Sequence, residues 1–186
     1  YFAIARRVLG PVRVDSDVAT LLEVYLLSVE AAFLRKSFDC ALAFLDALDV
    51  LPLQDLQRGR VVAKRVQIFA VTQAPEVTLD YAMAQVRALG VRWPASPSLS
   101  RVRFAIWRVL RMLGGRDARE ALQPSRVIDG RGLAVLLVLR QNAAVVGRVD
   151  GHLAVLITCY SMQYQLNHGY VVHPAFSVAV FAAYRY

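Results

Sequence analysis

The sequence predicts an all-α fold built from antiparallel helix pairs that stack as an α-solenoid. Three observations support this prediction. Apolar residues recur at helical spacing through most of the chain, and short polar, proline or glycine breaks separate them. The pattern of one helix pair returns in the next part of the chain. No segment shows the alternation of apolar and polar residues that a strand of useful length requires.

The length and composition fit such an array. The chain has 186 residues, which is enough to bury a core, and 57% of them are hydrophobic while 19% are charged. It begins at Tyr1 and ends at Tyr186 in the middle of a helical pattern. We therefore expect a piece of a longer protein.

The first helix pair follows a cluster of good N-cap residues at 15–17. Its first apolar stripe consists of Leu22, Tyr25, Val29, Ala32 and Phe33. After the polar break "RKS", its second stripe consists of Phe38, Ala41, Leu42, Leu45 and Leu48. Pro52 ends this stripe, which predicts a helical hairpin whose apolar faces meet.

The second pair repeats the first. The first stripe is Val62, Val66 and Phe69, and after the break "TQAPE" the second is Leu79, Ala82, Met83, Val86 and Leu89. Gly90 is a natural helix terminator. Superposing the breaks aligns Ala41 with Thr78, a period of 37 residues. Because one pair cannot bury its apolar face alone, such a period predicts stacked repeats.

The rest of the chain is less regular. The predicted helical features are a stripe at Val102, Ile106, Val109, Leu110 and Leu113, a short helix in "DAREAL", and further helices at 133–146, 153–166 and 175–184. Asp129 is placed to cap the helix at 133–146, which is apolar on most faces and therefore predicted to be buried. The predicted organisation is two helix pairs over 1–94, an irregular helical connector over 95–132 and a third pair over 133–186 that continues beyond the fragment.

Five small residues are predicted to serve helix packing. Ala31, Ala32 and Ala41 allow close approach of neighbouring helices, and Gly90 and Gly169 end helices. Their roles are structural.

The cysteines and the charge-free C-terminal region both indicate buried helices. Cys40 and Cys159 lie in apolar, helix-patterned runs and are predicted to be small buried side chains, without a disulfide framework, as in a reducing cytoplasm. The range 151–184 has no Asp, Glu, Lys or Arg. Because "QYQLNHG" and Pro174 interrupt it, the sequence predicts two buried helices there and no membrane span.

Arginine accounts for the net charge of +8, since the chain has 20 Arg and 2 Lys. Residues 84–148 carry 12 basic and 3 acidic side chains. A candidate basic patch consists of Arg101, Arg108 and Arg111, which are predicted to lie near one face of their helix, with Arg103 nearby. Such a patch fits nucleic acid or an acidic partner, but the scarcity of lysine favours a solvated helix face in an arginine-rich composition. The nearby Phe104 and Trp107 are predicted to wedge between helices.

Catalytic and metal-binding motifs are missing from the sequence. It contains no GxxxxGK[ST] phosphate loop, no HRD or DFG and no HExxH. His168 and His173 stand five residues apart, but neither has a Cys or an acid close by, and His152 stands alone. The sequence predicts a segment with no catalytic residue, no cofactor and no metal.

Two resemblances accompany these patterns. The order Tyr25-x-x-Ser28-Val29-x-x-Ala32, Ala41-x-x-x-Leu45 and Pro52 resembles tetratricopeptide repeats. Over nearly the whole chain, the order "YLLSVEAAFLRKSFDCALAFLDAL", "AKRVQIFAVTQAPEVTLDYAMAQVRALGVRWP", "LGGRDAREAL" and "LNHGYVVHPAFSVAVFAAY" is similar to the helical region of large bacterial signalling proteins. Those proteins join a serine/threonine-kinase-like domain, an AAA-type ATPase module, this helical region and often a GAF domain and a histidine kinase.

The second resemblance implies a non-catalytic, cytoplasmic scaffold that couples an ATPase module to a kinase output. Its partners would be proteins or peptides, above all the neighbouring domains of the same chain. Two alternatives stay open. One is a nucleic-acid-binding helical array that uses the arginine-rich block at 101–119. The other is the same scaffold in an ATP-dependent transcriptional regulator.

Overall fold

Seven α-helices make up the described part of the chain. A computed structural model describes residues 18–94, 97–114 and 129–168. The helices are α1 (Val18–Leu34), α2 (Phe38–Asp49), α3 (Asp55–Thr72), α4 (Pro75–Ala88), α5 (Leu99–Leu113), α6 (Gly130–Val149) and α7 (Gly151–His168). These ranges contain no strand, so the prediction of an all-α fold is confirmed for them. The predicted cap cluster at 15–17, the helix in "DAREAL", Gly169 and the helix at 175–184 lie outside the described residues.

The first two helix pairs repeat with a fixed spacing. Phe38 and Pro75, the first residues of α2 and α4, stand 37 residues apart. Ala41 and Thr78, which the sequence aligns, are both fully buried. The hydroxyl of Thr78 donates to the carbonyl of Ala74 at 3.2 Å, so the threonine is buried without leaving its polar atom unpaired.

Two helices end in the same left-handed motif. Gly90 has a φ of +86°, and the N–H of Val91 donates to the carbonyl of Val86 at 3.2 Å. This six-residue closure is the Schellman motif, in which glycine avoids the steric penalty of a positive φ. Gly90 is thus the left-handed residue that directly follows the last turn of α4. Lys36 takes the same position after α1 with a φ of 59°, which no sequence pattern predicted.

Asp129 fixes the start of α6. Its side chain accepts hydrogen bonds from the N–H groups of Arg131 at 3.2 Å and Gly132 at 3.0 Å, as the sequence predicts for an N-cap. The hydroxyl of Tyr164 on α7 donates to the carbonyl of Asp129 at 3.1 Å. A Cβ on Gly132 would lie 2.2 Å from the ring of Tyr164. The absence of a side chain at this position therefore lets α7 dock against the first turn of α6.

The helices contact one another in a regular succession. Helix α1 packs on α2, and both contact α3; α3 packs on α4, and both contact α6; α6 in turn packs on α7. The first helix of each pair, α1, α3 and then α6, thus lies beside the first helix of the next pair. Helix α5 stands apart from this succession and packs on α7.

The buried apolar residues form three clusters in series. The first joins α1, α2 and α3, the second joins α3, α4, α6 and α7, and the third joins α5 and α7. Helix α3 takes part in two of them, with Val61 and Ile68 in the first and Val62 and Val66 in the second. Helix α6 is buried over most of its length, which confirms the prediction for the range 133–146.

Cys40 contradicts its prediction and Cys159 confirms it. Cys159 is buried between α5 and α7, whereas Cys40 is exposed. The buried stripe of α2 runs through Ala41, Leu45 and Leu48. Cys40 directly precedes Ala41 and is turned by about 100° around the helix axis, since an α-helix has 3.6 residues per turn.

The charge-free region begins with α7, which is a single helix over Gly151–His168. Among the described residues, no helix combines the length and the apolar character that crossing a membrane requires.

Candidate functional site

A groove runs between the first helices of the three pairs. It has a volume of about 490 Å³ and opens to solvent. Its walls come from α1, α3 and α6, and its lining consists of Glu23, Leu26, Leu27, Glu30, Arg60, Ala63, Lys64, Leu137, Arg140 and Gln141. We call this surface the interhelical groove.

Two ion pairs cross the wall of the interhelical groove between α1 and α3. Glu23 pairs with Arg60 through both carboxylate oxygens, with Nη2 and Oε2 2.9 Å apart, and Glu30 pairs with Lys64. The hydrogen bond from Arg60 lowers the pKa of Glu23, so the pair stays ionised at neutral pH. Because exposed pairs contribute at most about 1 kcal/mol each, their main effect is to fix the two helices in register and to neutralise both acids.

An apolar strip and one further cation complete the interhelical groove. Leu26 is buried, Leu137 is partly buried and Leu27 keeps 50% of its surface exposed. Arg140 on α6 is exposed, and no ion pair joins it to another described residue. The groove can therefore bury an apolar side chain along the leucines and accept a carboxylate at Arg140.

A second concavity lies between the segment 91–94, helix α5 and helix α7. It has a volume of about 370 Å³. Its lining consists of Val91, Arg92, Trp93, Pro94, Arg101, Phe104, Ala105, Arg108, Leu156, Cys159, Tyr160 and Gln163. We call it the basic pocket, because it has three arginines and no acid in its lining.

The predicted basic patch divides between two surfaces of α5. Arg101 and Arg108 line the basic pocket, whereas Arg103 and Arg111 do not. The guanidinium of Arg111 lies 5.3 Å from the centre of the Trp107 ring. Helical geometry explains the division, since residues 101 and 108 are two turns apart on one face.

The prediction that Phe104 and Trp107 wedge between helices is wrong. Phe104 is 60% exposed and Trp107 is 50% exposed, and their rings stack on each other with centres 5.6 Å apart. The buried face of α5 is formed by Val102 and Val109 instead. Helix α5 thus presents both aromatic and basic side chains to solvent.

The predicted packing residues occupy different environments. Ala32 and Ala41 belong to the buried cluster of α1, α2 and α3, while Ala31 is only partly buried. Gly90 ends α4. Gly169 lies outside the described residues.

Sequence reasoning missed Gly59, which sits at the contact between α3 and α6. A Cβ on Gly59 would lie 2.5 Å from the Cβ of Ala134 and 2.6 Å from its Cα. The two helices therefore touch backbone to backbone, and this contact brings α6 alongside the interhelical groove. Because the predicted stripe starts only at Val62, Gly59 was not recognised as a residue inside a helix, where glycine costs about 1 kcal/mol relative to alanine.

Burial raises the pKa of titratable side chains on α7. Burial raises the pKa of Cys159 to about 11, so its thiol is protonated at neutral pH. Burial, together with the charge of Asp129, raises the pKa of Tyr164 to about 12. His168 stacks on Tyr164 with ring centres 4.3 Å apart. Within the described ranges, no three His, Cys, Asp or Glu side chains cluster to hold a metal ion, and His173 lies outside them.

We compared the chain with protein-family models, with curated proteins and with solved structures, and nothing matches it. The interhelical groove and the basic pocket are therefore interpreted from their own residues.

Proposed function

We propose that this chain is a non-catalytic helical-repeat scaffold whose interhelical groove binds a peptide segment of a protein partner. The observation that carries the proposal is that α1, α3 and α6, the first helices of successive pairs, line one groove. In helical-repeat arrays, the first helix of each repeat lies beside that of the next, and together they form an extended concave surface. The contacts of α1 with α3 and of α3 with α6 support such a surface in this chain.

The series of cores supports a tetratricopeptide-like solenoid as the arrangement of the pairs. In a solenoid each repeat contacts only its neighbours, so helices in the middle must bury two faces. Helix α3 does so, because Val61 and Val62 belong to different buried clusters. The pair Glu23–Arg60 joins residues 37 positions apart, which are equivalent positions of the first two repeats.

The chemistry of the groove favours a partner segment with one apolar anchor and one acid. The exposed half of Leu27 and the side chain of Leu137 offer apolar surface to an anchor. Both acids of the groove are already paired with bases of α3, so Arg140 supplies its uncompensated charge. Buried anchors contribute most of the affinity at such surfaces, while charges at the rim mainly select the partner.

The larger context of the proposal rests on the sequence resemblance. We propose that the scaffold is cytoplasmic, that its partners are neighbouring domains of the same chain, and that small rotations between repeats pass the state of an ATPase module to a kinase. The same scaffold would serve a transcriptional regulator equally well, because helical arrays are shared among such proteins.

Substitution of Leu27 in the groove is expected to weaken peptide binding. A random peptide library displayed on phage is selected against the immobilised chain, and the affinities of the selected peptides are measured by fluorescence polarisation. We expect Leu27→Glu to weaken binding at least about tenfold, because it places a charge on the apolar strip. Leu34→Glu is the matched control, since Leu34 lies on the same helix, is more exposed and does not line the groove; it is expected to change affinity by less than about twofold.

A second pair of variants tests whether Arg140 binds an acidic group of the peptide. Arg140→Gln is expected to reduce binding of acidic peptides, and Arg148→Gln, an exposed arginine of α6 outside the groove, is expected to leave it unchanged. Selected peptides that bind Leu27→Glu and Arg140→Gln as tightly as the native chain would place the interaction elsewhere. ATP hydrolysis or protein phosphorylation by the pure chain would contradict its non-catalytic role.

A further inference from the structure

We infer that the basic pocket is a binding site for a small aromatic anion, a molecule that carries a phosphate or a carboxylate on a flat apolar body. The site is separate from the interhelical groove, because the two have no lining residue in common. Its volume of about 370 Å³ falls within the range of roughly 300–1,000 Å³ that is usual for small-molecule sites.

The charges of the pocket select an anion. Arg92, Arg101 and Arg108 line it from two segments of the chain, and no acid lines it. Helix α5 itself contains four arginines and no acid. Among the residues that the structure describes, no ion pair satisfies any of the three guanidiniums. Because guanidinium groups bind phosphate and carboxylate through two parallel hydrogen bonds, these arginines favour a ligand with such a group.

The remaining walls select a flat apolar body. The ring of Phe104 is mostly exposed at the pocket, and the rings of Trp93 and Tyr160 meet edge to face with centres 5.4 Å apart. Leu156 and the protonated Cys159 add apolar surface. Aromatic walls of this kind stack on planar ligands, and such contacts contribute beyond the area they bury.

The pocket also has unused hydrogen-bonding capacity. The indole Nε1–H of Trp93 is buried and finds no acceptor within the part of the chain that the structure describes. The amide of Gln163 offers a further donor and acceptor. Because the Trp93 Nε1 atom itself is shielded from solvent, Gln163 supplies the hydrogen-bonding groups that a ligand can reach.

A bounded small ligand explains the arginines better than a nucleic-acid strand does. A strand requires a continuous basic track, whereas Arg103 and Arg111 lie outside the pocket that Arg101 and Arg108 line. The two pairs give a matched comparison on one helix, with the same number of charges in each.

The test uses probes that contain both features or only one of them. 1-Naphthyl phosphate and 1-naphthoate carry both; 1-naphthol and inorganic phosphate carry one each. Isothermal titration calorimetry with the full chain is expected to show binding of at least one of the first two probes. 1-Naphthol and inorganic phosphate are expected to bind at least about tenfold more weakly than the complete probe. The tighter of the two complete probes identifies the anion as a phosphate or a carboxylate.

Matched variants then place the probe. We expect Arg101→Gln/Arg108→Gln to raise the Kd at least about tenfold, and Arg103→Gln/Arg111→Gln to change it by less than about twofold. Phe104→Ala is expected to weaken binding, with Trp107→Ala as its control. In the variant Trp107→Phe, Trp93 is the sole tryptophan of the chain, so its fluorescence is expected to change as the probe binds.

Three results would overturn the inference. One is that neither complete probe binds at millimolar concentration. Another is that 1-naphthol or inorganic phosphate alone binds as tightly as the complete probe. The third is that both double arginine variants lose binding equally, which would indicate a diffuse basic surface. Binding of single-stranded oligonucleotides would then be measured with the same variants. Equal losses in both variants and a steep dependence of affinity on salt would identify nucleic acid as the partner.

Discussion

Gly59→Leu is expected to lower the free energy of unfolding by more than about 3 kcal/mol, because the contact between α3 and α6 has no room for a side chain. The first carbon of any side chain at this position would already lie 2.5 Å from the Cβ of Ala134 and 2.6 Å from its Cα. Ala134 is fully buried, so relief requires that the two helices move apart. That movement would open the second buried cluster, which both helices help to form.

The matched control is a second glycine inside a helix. A Cβ on Gly147 of α6 would meet nothing within 4 Å. Gly147→Ala is therefore expected to raise stability by about 0.4–1 kcal/mol, because alanine restricts the unfolded chain and favours helix. Gly59→Ala, the identical substitution, is expected to lower it. Urea unfolding followed by circular dichroism measures both, and a Gly59→Ala variant as stable as the native chain would show that α3 and α6 are not in backbone contact.

The helices themselves could be predicted from the sequence because local signals determine them. The stripe Ala41, Leu45 and Leu48 has helical spacing, and all three residues are fully buried. Asp129 and Gly90 cap helix ends through hydrogen bonds that join residues at most five positions apart along the chain. Such features need no knowledge of distant parts of the chain.

The sites could not be predicted in the same way because they join distant segments. The basic pocket brings together Trp93, Arg101 and Tyr160, which belong to a loop and two different helices. The sequence analysis placed Arg111 near the same helix face as Arg101 and Arg108, but only these two line the pocket, because the position of α7 decides which arginines face a cavity. The burial predicted for Phe104 was wrong for the same reason.

One ion pair of the interhelical groove could have been predicted from the sequence. Glu23 and Arg60 are 37 residues apart, which is the period of the repeat. If equivalent positions of neighbouring first helices meet, opposite charges at that spacing predict an ion pair. The contact of Gly59 with Ala134 could not be predicted from the sequence. Helix α6 packs directly on α3 although α5 and its flanking residues separate the second pair from α6 along the chain.

The second large expected effect is a gain in stability when Asn142 is replaced by an apolar residue. This residue of α6 is fully buried, and neither its Nδ2 nor its Oδ1 has a hydrogen-bond partner among the described residues. A buried amide without partners loses its bonds to water and gains none in return, at a cost of about 1–3 kcal/mol. Leucine has nearly the same shape and a higher helix propensity. We expect Asn142→Leu to raise the free energy of unfolding by about 1–3 kcal/mol.

Two further variants separate the buried amide from general effects of leucine. Asn167→Leu, at an exposed position near the end of α7, is expected to change stability by less than about 0.5 kcal/mol. Asn142→Asp is expected to destabilise strongly at neutral pH, because it buries a charge, and to recover as the pH falls and the carboxyl becomes neutral. If Asn142→Leu instead lowers the urea midpoint, the amide has a partner in the folded protein. The order Leu above Asn above Asp at neutral pH is the result that an unpaired amide in an apolar core requires.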